Sequence, residues 1–457
     1  MIENIHILNV SVVNEDEIYK ADVSIKNGII SSIVPHSKKG NNQRDNFFIT
    51  FSKVIDGSGL HLFPGVIDDQ VHFREPGLVH KGDLYSESKA AVAGGVTSFM
   101  DMPNTVPNTI TQNLLNDKYE EASKKSLANF SFYMGATNSN FEEIEKTDPK
   151  TVCGVKVFMG ASTGNMLVDN IDSLKKIFSI KNLLIATHCE DENIIQRNIA
   201  KYKLKFGEDL PVEYHPLIRS REACYASTKL AIELATKYKT RLHVLHISTK
   251  DELSFFSNDI PLKDKLITAE VCVHHLIFNK SDYKRYGRLI KWNPAIKDKS
   301  DQKALLKALK NDTIDVLATD HAPHIYEEKQ QPYFKAASGA PMVQHSLVSM
   351  LELYHKGNIS LNTIVQKMCH APAECFRIEK RGFIREGYYA DLVLVDLNAP
   401  WTVTYDNILY KCKWSPLMGE RFNSKVIHTF VNGNHVFDNG TFNEENKGQR
   451  LLFKGDR

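Results

Sequence analysis

The run Gly154-Val155-Lys156-Val157-Phe158 sets one lysine between two valines. Strict alternation of this kind is the period of a β-strand, so Lys156 points to the face opposite Val155 and Val157. If the strand lies in a parallel sheet, both faces are covered. An unpaired ammonium there is costly, and the lysine needs a chemical reason to be inside.

Similar apolar runs occupy residues 65–69, 97–101, 130–134, 183–188, 242–246, 265–271 and 316–319. Amphipathic helical stretches lie between them, such as 84–93, which Gly94-Gly95 stops, and 301–309. Strands alternating with helices mark parallel βα units, and eight of them close a barrel. The expected fold class is α/β: a (β/α)8 TIM-type barrel over residues 63–384. Outside it, short strands are expected at 4–12, 19–26, 29–34 and 47–55, with a polar loop at 37–46. They are expected again at 391–396 and 425–437, with Asn27-Gly28 and Asn432-Gly433 as turns. Residues 1–62 plus 385–457 therefore read as a small β-sandwich domain built from both termini.

The 457 residues are 25% charged with a formal net charge of +2. That balance supplies neither the basic face of a nucleic-acid binder nor a membrane-steering patch, and no apolar run reaches the length of a membrane span. A small neutral or anionic molecule is the expected partner. Cys153, Cys189, Cys224, Cys272, Cys369, Cys375 and Cys412 lack paired spacing and read as reduced thiols. The start Met1-Ile2-Glu3-Asn4-Ile5-His6 has no signal-peptide pattern, so a cytoplasmic protein is expected.

Side chains at the C-terminal ends of barrel strands converge on one mouth. Here those ends carry His72, Lys156, His188, His246 and Asp320. Imidazole and carboxylate together suit a divalent ion such as zinc, which polarises a carbonyl and lowers the pKa of water. Lys156 fits that set if carbon dioxide has carbamylated it, since an anionic ligand then replaces a cation. One histidine at a strand end ordinarily only packs; five suitable groups in order are a stronger signal. His243, His275 and His321 have no comparable geometric case and read as supporting groups.

Taken together, several motifs resemble the dihydroorotase branch of the amidohydrolase superfamily over nearly the whole chain. They are Asp68-Asp69-Gln70-Val71-His72-Phe73-Arg74-Glu75-Pro76-Gly77, Met102-Pro103-Asn104-Thr105, His188-Cys189-Glu190-Asp191 and His246-Ile247-Ser248-Thr249. Ala269-Glu270 with His274-His275, Asn293-Pro294, and Asp320-His321-Ala322-Pro323-His324 complete the set. The resemblance implies reversible interconversion of N-carbamoyl-L-aspartate and dihydroorotate, a step of pyrimidine synthesis. It implies one or two zinc ions held by His72, a carboxylated Lys156, His188, His246 and Asp320, with Asp320 also the catalytic proton carrier. It implies that Arg74, Asn104, Asn293 and His324 bind the substrate, Arg74 by a two-pronged grip on a carboxylate. The loop 325–343 reads either as a segment that closes over the ring near Gly339 and Ala340 or as a solvated connection. A homodimer and an association with aspartate transcarbamoylase are implied in the same way.

Two positions depart from the pattern. Gln70 stands where the family has the first histidine of a His-x-His pair, and a neutral amide is a poorer zinc ligand. Asp69 is not expected to replace it, since neighbouring strand residues face opposite ways. Lys156-Val157-Phe158-Met159-Gly160 reads closer to the hydantoinase-like branch. Two other readings follow: a hydantoinase- or allantoinase-like cyclic amidohydrolase, and a catalytically inactive partner of aspartate transcarbamoylase.

Overall fold

The computed structural model describes residues 4–38, 52–160, 166–208 and 210–455. Eight parallel strands form the centre: β1 (Val66–Val71), β2 (Val96–Asp101), β3 (Asn129–Phe132, continued in Met134–Gly135), β4 (Val155–Phe158), β5 (Leu184–His188), β6 (Arg241–Val244), β7 (Ile267–Cys272) and β8 (Val316–Ala318). β3 is broken at Tyr133, whose N–H donates to Asp101 O at 3.1 Å. Closure is made just past the strand ends, where His72 N donates to His321 O at 2.7 Å and Val71 bridges His321 in parallel. All eight expected strands are present, the seventh starting at Ile267 because residues 262–264 form a 3₁₀ turn.

Helices cover the outside for local reasons. Leu84–Ala93 begins at Asp83, whose carboxylate accepts from Ser86 N at 2.7 Å, and ends at Gly94. The helix expected at 301–309 runs Lys299–Lys310, capped by Asp298. Inside the barrel, Ile67, Met100, Tyr133, Leu184 and Val316 pack with Ala371, Phe376 and Phe453 from the C-terminal segments. That apolar filling leaves the polar mouth at the strands' C-terminal ends.

The two ends of the chain share one nine-stranded sheet. Its order is Thr441–Phe442, Asn434–Asp438, Lys425–Val431, Leu392–Asp396, His61–Pro64, Ile5–Asn14, Glu17–Lys26 and Ile29–Pro35, with Lys53–Asp56 also beside Ile5–Asn14. Buried Ile5, Ile7, Val10, Leu62, Leu392, Leu394 and Phe430 make its core. The run expected at 425–437 is a hairpin turning at Asn432-Gly433. The loop expected at 37–46 and the first part of the strand expected at 47–55 fall largely outside the described residues.

Asp391 joins sheet to barrel. Its buried carboxylate pairs with Arg381 and accepts from Asn432 N at 2.7 Å and Asn129 Nδ2 at 3.1 Å, while Gly65 N donates to its carbonyl at 2.7 Å. Removing one partner of a buried pair leaves the other charge uncompensated, at a cost of about 3–5 kcal/mol. Asp391→Ala is therefore expected to lower the denaturation midpoint strongly; an unchanged midpoint in urea would contradict this account of the joint.

Candidate active site at the barrel mouth

A cleft opens at the C-terminal mouth, lined among others by Gln70, His72, Arg74, Lys156, His188 and His246. Asn104, Asn293, Asp320, Phe158, Trp292, Ser338 and Gly339 also face it. The structure thus brings together every site residue expected from the sequence except His324, which stands immediately behind Arg74.

The polar groups fall on two sides. On one, His188 Nδ1 lies 3.0 Å from His246 Nε2, with buried Lys156 beside them. Burial pulls Lys156 down to about 8 and both imidazoles below their ordinary range, His246 furthest, with His188 and Lys156 adding to the effect. His188 Nε2 is held by Glu190 at 3.0 Å, and Arg219 reaches the same carboxylate at 2.7 Å. Burial alone raises Glu190, but Arg219 and His188 outweigh it and keep it at about 2. Among the described residues the Lys156 ammonium meets no carboxylate within ion-pair distance; the Phe158 ring lies 4.7 Å away.

On the other side, Asp320 Oδ1 lies 3.1 Å from His72 Nε2 and accepts from Gln70 Nε2 at 3.2 Å. His72 Nδ1 lies 2.8 Å from Asn104 Oδ1. Behind the cleft, Arg74 Nε donates to Pro323 O at 2.9 Å and its Nη2 lies 3.0 Å from His324 Nε2. Burial brings this guanidinium down to about 10, and among the described residues no carboxylate pairs with it. Neighbouring Glu75 turns away, to Lys125 at 2.5 Å and Leu84 N at 3.0 Å. Asn293 stands between Arg219 and Ser338.

The backbone at three of these residues is left-handed: φ is 72° at Arg74, 42° at His246 and 46° at Asp320. Each costs on the order of 1–3 kcal/mol for a residue with a Cβ. Buried bonds hold them: Phe73 N to Asp101 Oδ1 at 2.7 Å, His246 N to Glu270 Oε1 at 3.0 Å, and His321 N to Thr319 Oγ1 at 2.9 Å.

Beneath the cleft, Asp69, His243 and Glu270 form a fully buried cluster, with His243 Nε2 at 3.1 Å from Asp69 and 3.7 Å from Glu270. Burial, with Asp69 adding to it, raises Glu270 to about 7. Asp69 does not line the cleft. His321 pairs with Glu87 at 2.9 Å and His275 reaches Pro294 O at 3.3 Å, both away from the opening.

The loop after β8 is fixed rather than solvated. Lys329 Nζ donates to Lys291 O, Ala337 O and Gly339 O at 3.1, 2.9 and 2.7 Å. Lys291 Nζ donates to Tyr333 O and Ala336 O at 2.9 and 2.5 Å. Gly339 needs its missing Cβ: φ is 120°, and an added carbon would lie 2.7 Å from Ala322. Sequence reasoning missed this clamp, since a lysine in a polar loop carries no periodic signal. For Glu190 the sequence holds one cue, a carboxylate two residues past a ligand-type histidine.

A closed barrel with histidines, a buried lysine and an aspartate at its mouth is the architecture of a barrel hydrolase. Residues 61–436 match the family model described as Amidohydrolase family. The chain belongs to this family. It is 33% identical over 390 residues to the dihydroorotase of Wolbachia sp. subsp. Drosophila simulans (strain wRi), covering 84% of this chain and 86% of that one. With the dihydroorotase of Pyrococcus abyssi (strain GE5 / Orsay) it shares 30% identity over 442 residues, 96% of each chain. Among solved structures, the L-hydantoinase of Arthrobacter aurescens superposes with a TM-score of 0.89 at 26% identity, over 98% of this chain and 100% of that one.

The loop clamp yields a test. Hydrogen bonds to a charged donor contribute about 1.5–3 kcal/mol each, so Lys329→Met is expected to speed backbone hydrogen exchange across residues 331–340. Exchange unchanged from wild type would show that another contact holds the loop.

Proposed function

We propose that the chain is a dihydroorotase, a hydrolase that opens and closes a cyclic amide. The observation that carries this reading is Arg74, a buried guanidinium facing the cleft with no carboxylate partner among the described residues. A buried charge of this kind calls for compensation, and a planar fork fits a carboxylate two-pronged. A substrate that carries a carboxylate beside its ring amide supplies it. Dihydroorotate has that group, whereas dihydrouracil and hydantoin lack it.

A divalent ion such as zinc fits the donors present. His188 Nδ1 and His246 Nε2 converge at 3.0 Å, Glu190 fixes the far side of His188, and among the described residues no carboxylate lies within ion-pair distance of buried Lys156. His72, Lys156, His188, His246 and Asp320 would hold it. Lys156 joins as an anion once its amine nitrogen has bonded to the carbon of carbon dioxide and released a proton; a pKa near 8 keeps the reacting neutral amine populated. When bound, the ion polarises the scissile carbonyl and lowers the pKa of water nearby.

The chain's own groups do the rest. Arg74, with Asn104, Asn293 and His324 around it, orients the ring by its carboxylate, which places the amide carbonyl toward Asp320. In ring opening, water oxygen bonds to the carbonyl carbon, Asp320 takes the water proton, and the C–N bond breaks as Asp320 returns that proton to the departing ring nitrogen. Ring closure runs the same atoms backward, with water leaving. The Lys329-fixed loop puts Ser338 and Gly339 at the rim, where they limit access of solvent.

The likeness to hydantoinases rests on the backbone, and the Arg74 environment favours the carboxylated ring. Among the described residues no helix is long and apolar enough to cross a membrane, and all seven cysteines are free. We read the chain as a cytoplasmic homodimer that can associate with aspartate transcarbamoylase, acting as an enzyme rather than an inert partner.

Zinc-loaded enzyme is expected to turn over dihydroorotate and carbamoyl-aspartate but neither dihydrouracil nor hydantoin; the reverse preference would overturn the assignment. Arg74→Lys keeps the charge and loses the fork, so KM for dihydroorotate should rise roughly 10- to 150-fold. Protein incubated with isotope-labelled bicarbonate should show a carbamate resonance in NMR that Lys156→Ala lacks.

A further inference from the structure

We propose that this active site binds one metal ion tightly rather than a pair, because Gln70 leaves the β1–β8 side of the cleft short of a ligand. The inference rests on the metal-dependent reading above and concerns how many ions the site takes. Two groups of side chains face each other across the mouth, and their donor atoms are unequal.

On the β4–β6 side, His188 Nδ1 and His246 Nε2 meet at 3.0 Å, and Lys156, a ligand once carbamylated, lines the same cleft. The back of His188 is fixed by Glu190, and the strained backbone of His246 by Glu270. This side is built in advance for a cation.

On the β1–β8 side, the third group is an amide whose two ends are already committed. Gln70 Nε2 donates to Asp320 Oδ1 at 3.2 Å, and Gln70 Oε1 faces the Cys272 thiol at 3.7 Å. These neighbours fix the orientation. Reversing the amide would set its oxygen against the Asp320 carboxylate, two acceptors face to face, and would turn its NH₂ toward Cys272. The atom directed at Asp320 is therefore an amide nitrogen, whose lone pair is delocalised into the carbonyl and does not ligate a metal. The oxygen, the one possible ligand atom on this side chain, is turned back toward β7.

The same amide competes for Asp320. Its N–H donates to Oδ1, an oxygen that an ion on this side would need to share. What remains on this side is His72 and Asp320, with whatever Lys156 lends across the cleft. Asp69 offers no substitute, since it lies below the cleft against His243. Gln70 is buried to 1% exposure, so it cannot swing into solvent to clear the place.

The test counts ions. Metal-free protein, prepared by chelation and dialysis, is titrated with zinc in bicarbonate buffer, and bound metal is measured by elemental analysis and calorimetry; turnover of dihydroorotate is followed in parallel. Wild type is expected to saturate at one equivalent per chain, any second equivalent binding at least about 100-fold more weakly. Gln70→His, which restores a lone pair at this place, is expected to take two equivalents of comparable affinity. Circular dichroism checks that the variant is folded, and the wild-type count stands without it. Two tight equivalents in wild type with normal turnover would overturn this inference and leave the proposed function intact. A folded Gln70→His protein that stays at one equivalent would also overturn it, by showing that Gln70 is not what excludes the second ion. No tight binding in wild type, with no turnover, would overturn both readings together.

Discussion

The site exists because the barrel closes. His72 and Asp320 are 248 positions apart, yet their side chains lie 3.1 Å from each other because β1 and β8 are neighbours. One main-chain hydrogen bond, His72 N to His321 O, sits at the meeting point of those two strands. Backbone pairing fixes Cα positions to a fraction of a residue, so every side chain just beyond a strand end inherits a defined place around the mouth. A loop-built site would need many local contacts to achieve that; here the barrel provides it and the loops refine it. The refinement is visible in the dihedrals. Arg74, His246 and Asp320 hold left-handed backbone that ordinary residues avoid; buried bonds to the neighbouring strands' Asp101 and Glu270 brace the first two, and a local bond from His321 N to Thr319 Oγ1 braces the third. Stability in the surrounding core is what allows strain to persist where a side chain must be aimed.

Much of this was legible in the sequence. Alternation around Lys156 and the spacing of apolar runs gave the eight strands, because burial on both faces leaves a period-two record. Polar residues one or two places past those runs marked the mouth. Gln70 could be seen as a departure before any coordinates, and so could the isolation of Asp69 from the cleft. What the sequence did not carry were contacts between distant segments. Glu190 matters through Arg219, 29 residues on. Lys329 matters because three carbonyls surround its ammonium. Lys329 has no pattern in its own neighbourhood and Glu190 only its place two residues past His188, so both roles appear fully only when the chain is folded.

The cluster Asp69–His243–Glu270 shows the same limit from another direction. His243 lies on β6, three residues before His246. The sequence offered no geometric case for it as a ligand of the mouth and gave it no other definite role. The structure places it between two carboxylates in the closed interior, directly under residues that face the cleft. Glu270 links the two levels, since the carboxylate that faces His243 also accepts from His246 N. The floor of the site is thus electrostatic as well as apolar, and it braces the strained residue above it.

Backbone likeness and sequence likeness point to different substrates, and the barrel explains why. A TM-score of 0.89 to a hydantoinase reports strand and helix placement, which is set by closure and core packing and is shared by enzymes that open different rings. Substrate choice needs far less material: in the proposed reading, one guanidinium, correctly aimed, would separate rings that carry a carboxylate from rings that do not. Arg74 is aimed by its left-handed backbone, by the carbonyl of Pro323 and by His324, all of them outside the regular strands. Global superposition barely registers such a group. Identity with dihydroorotases at 33% over most of the chain weighs more for the chemistry, because it samples the residues at the mouth as well as the frame that carries them. Where the two disagree, the cleft decides: among the described residues no carboxylate pairs with buried Arg74, and the proposed carboxylated ring amide would supply one.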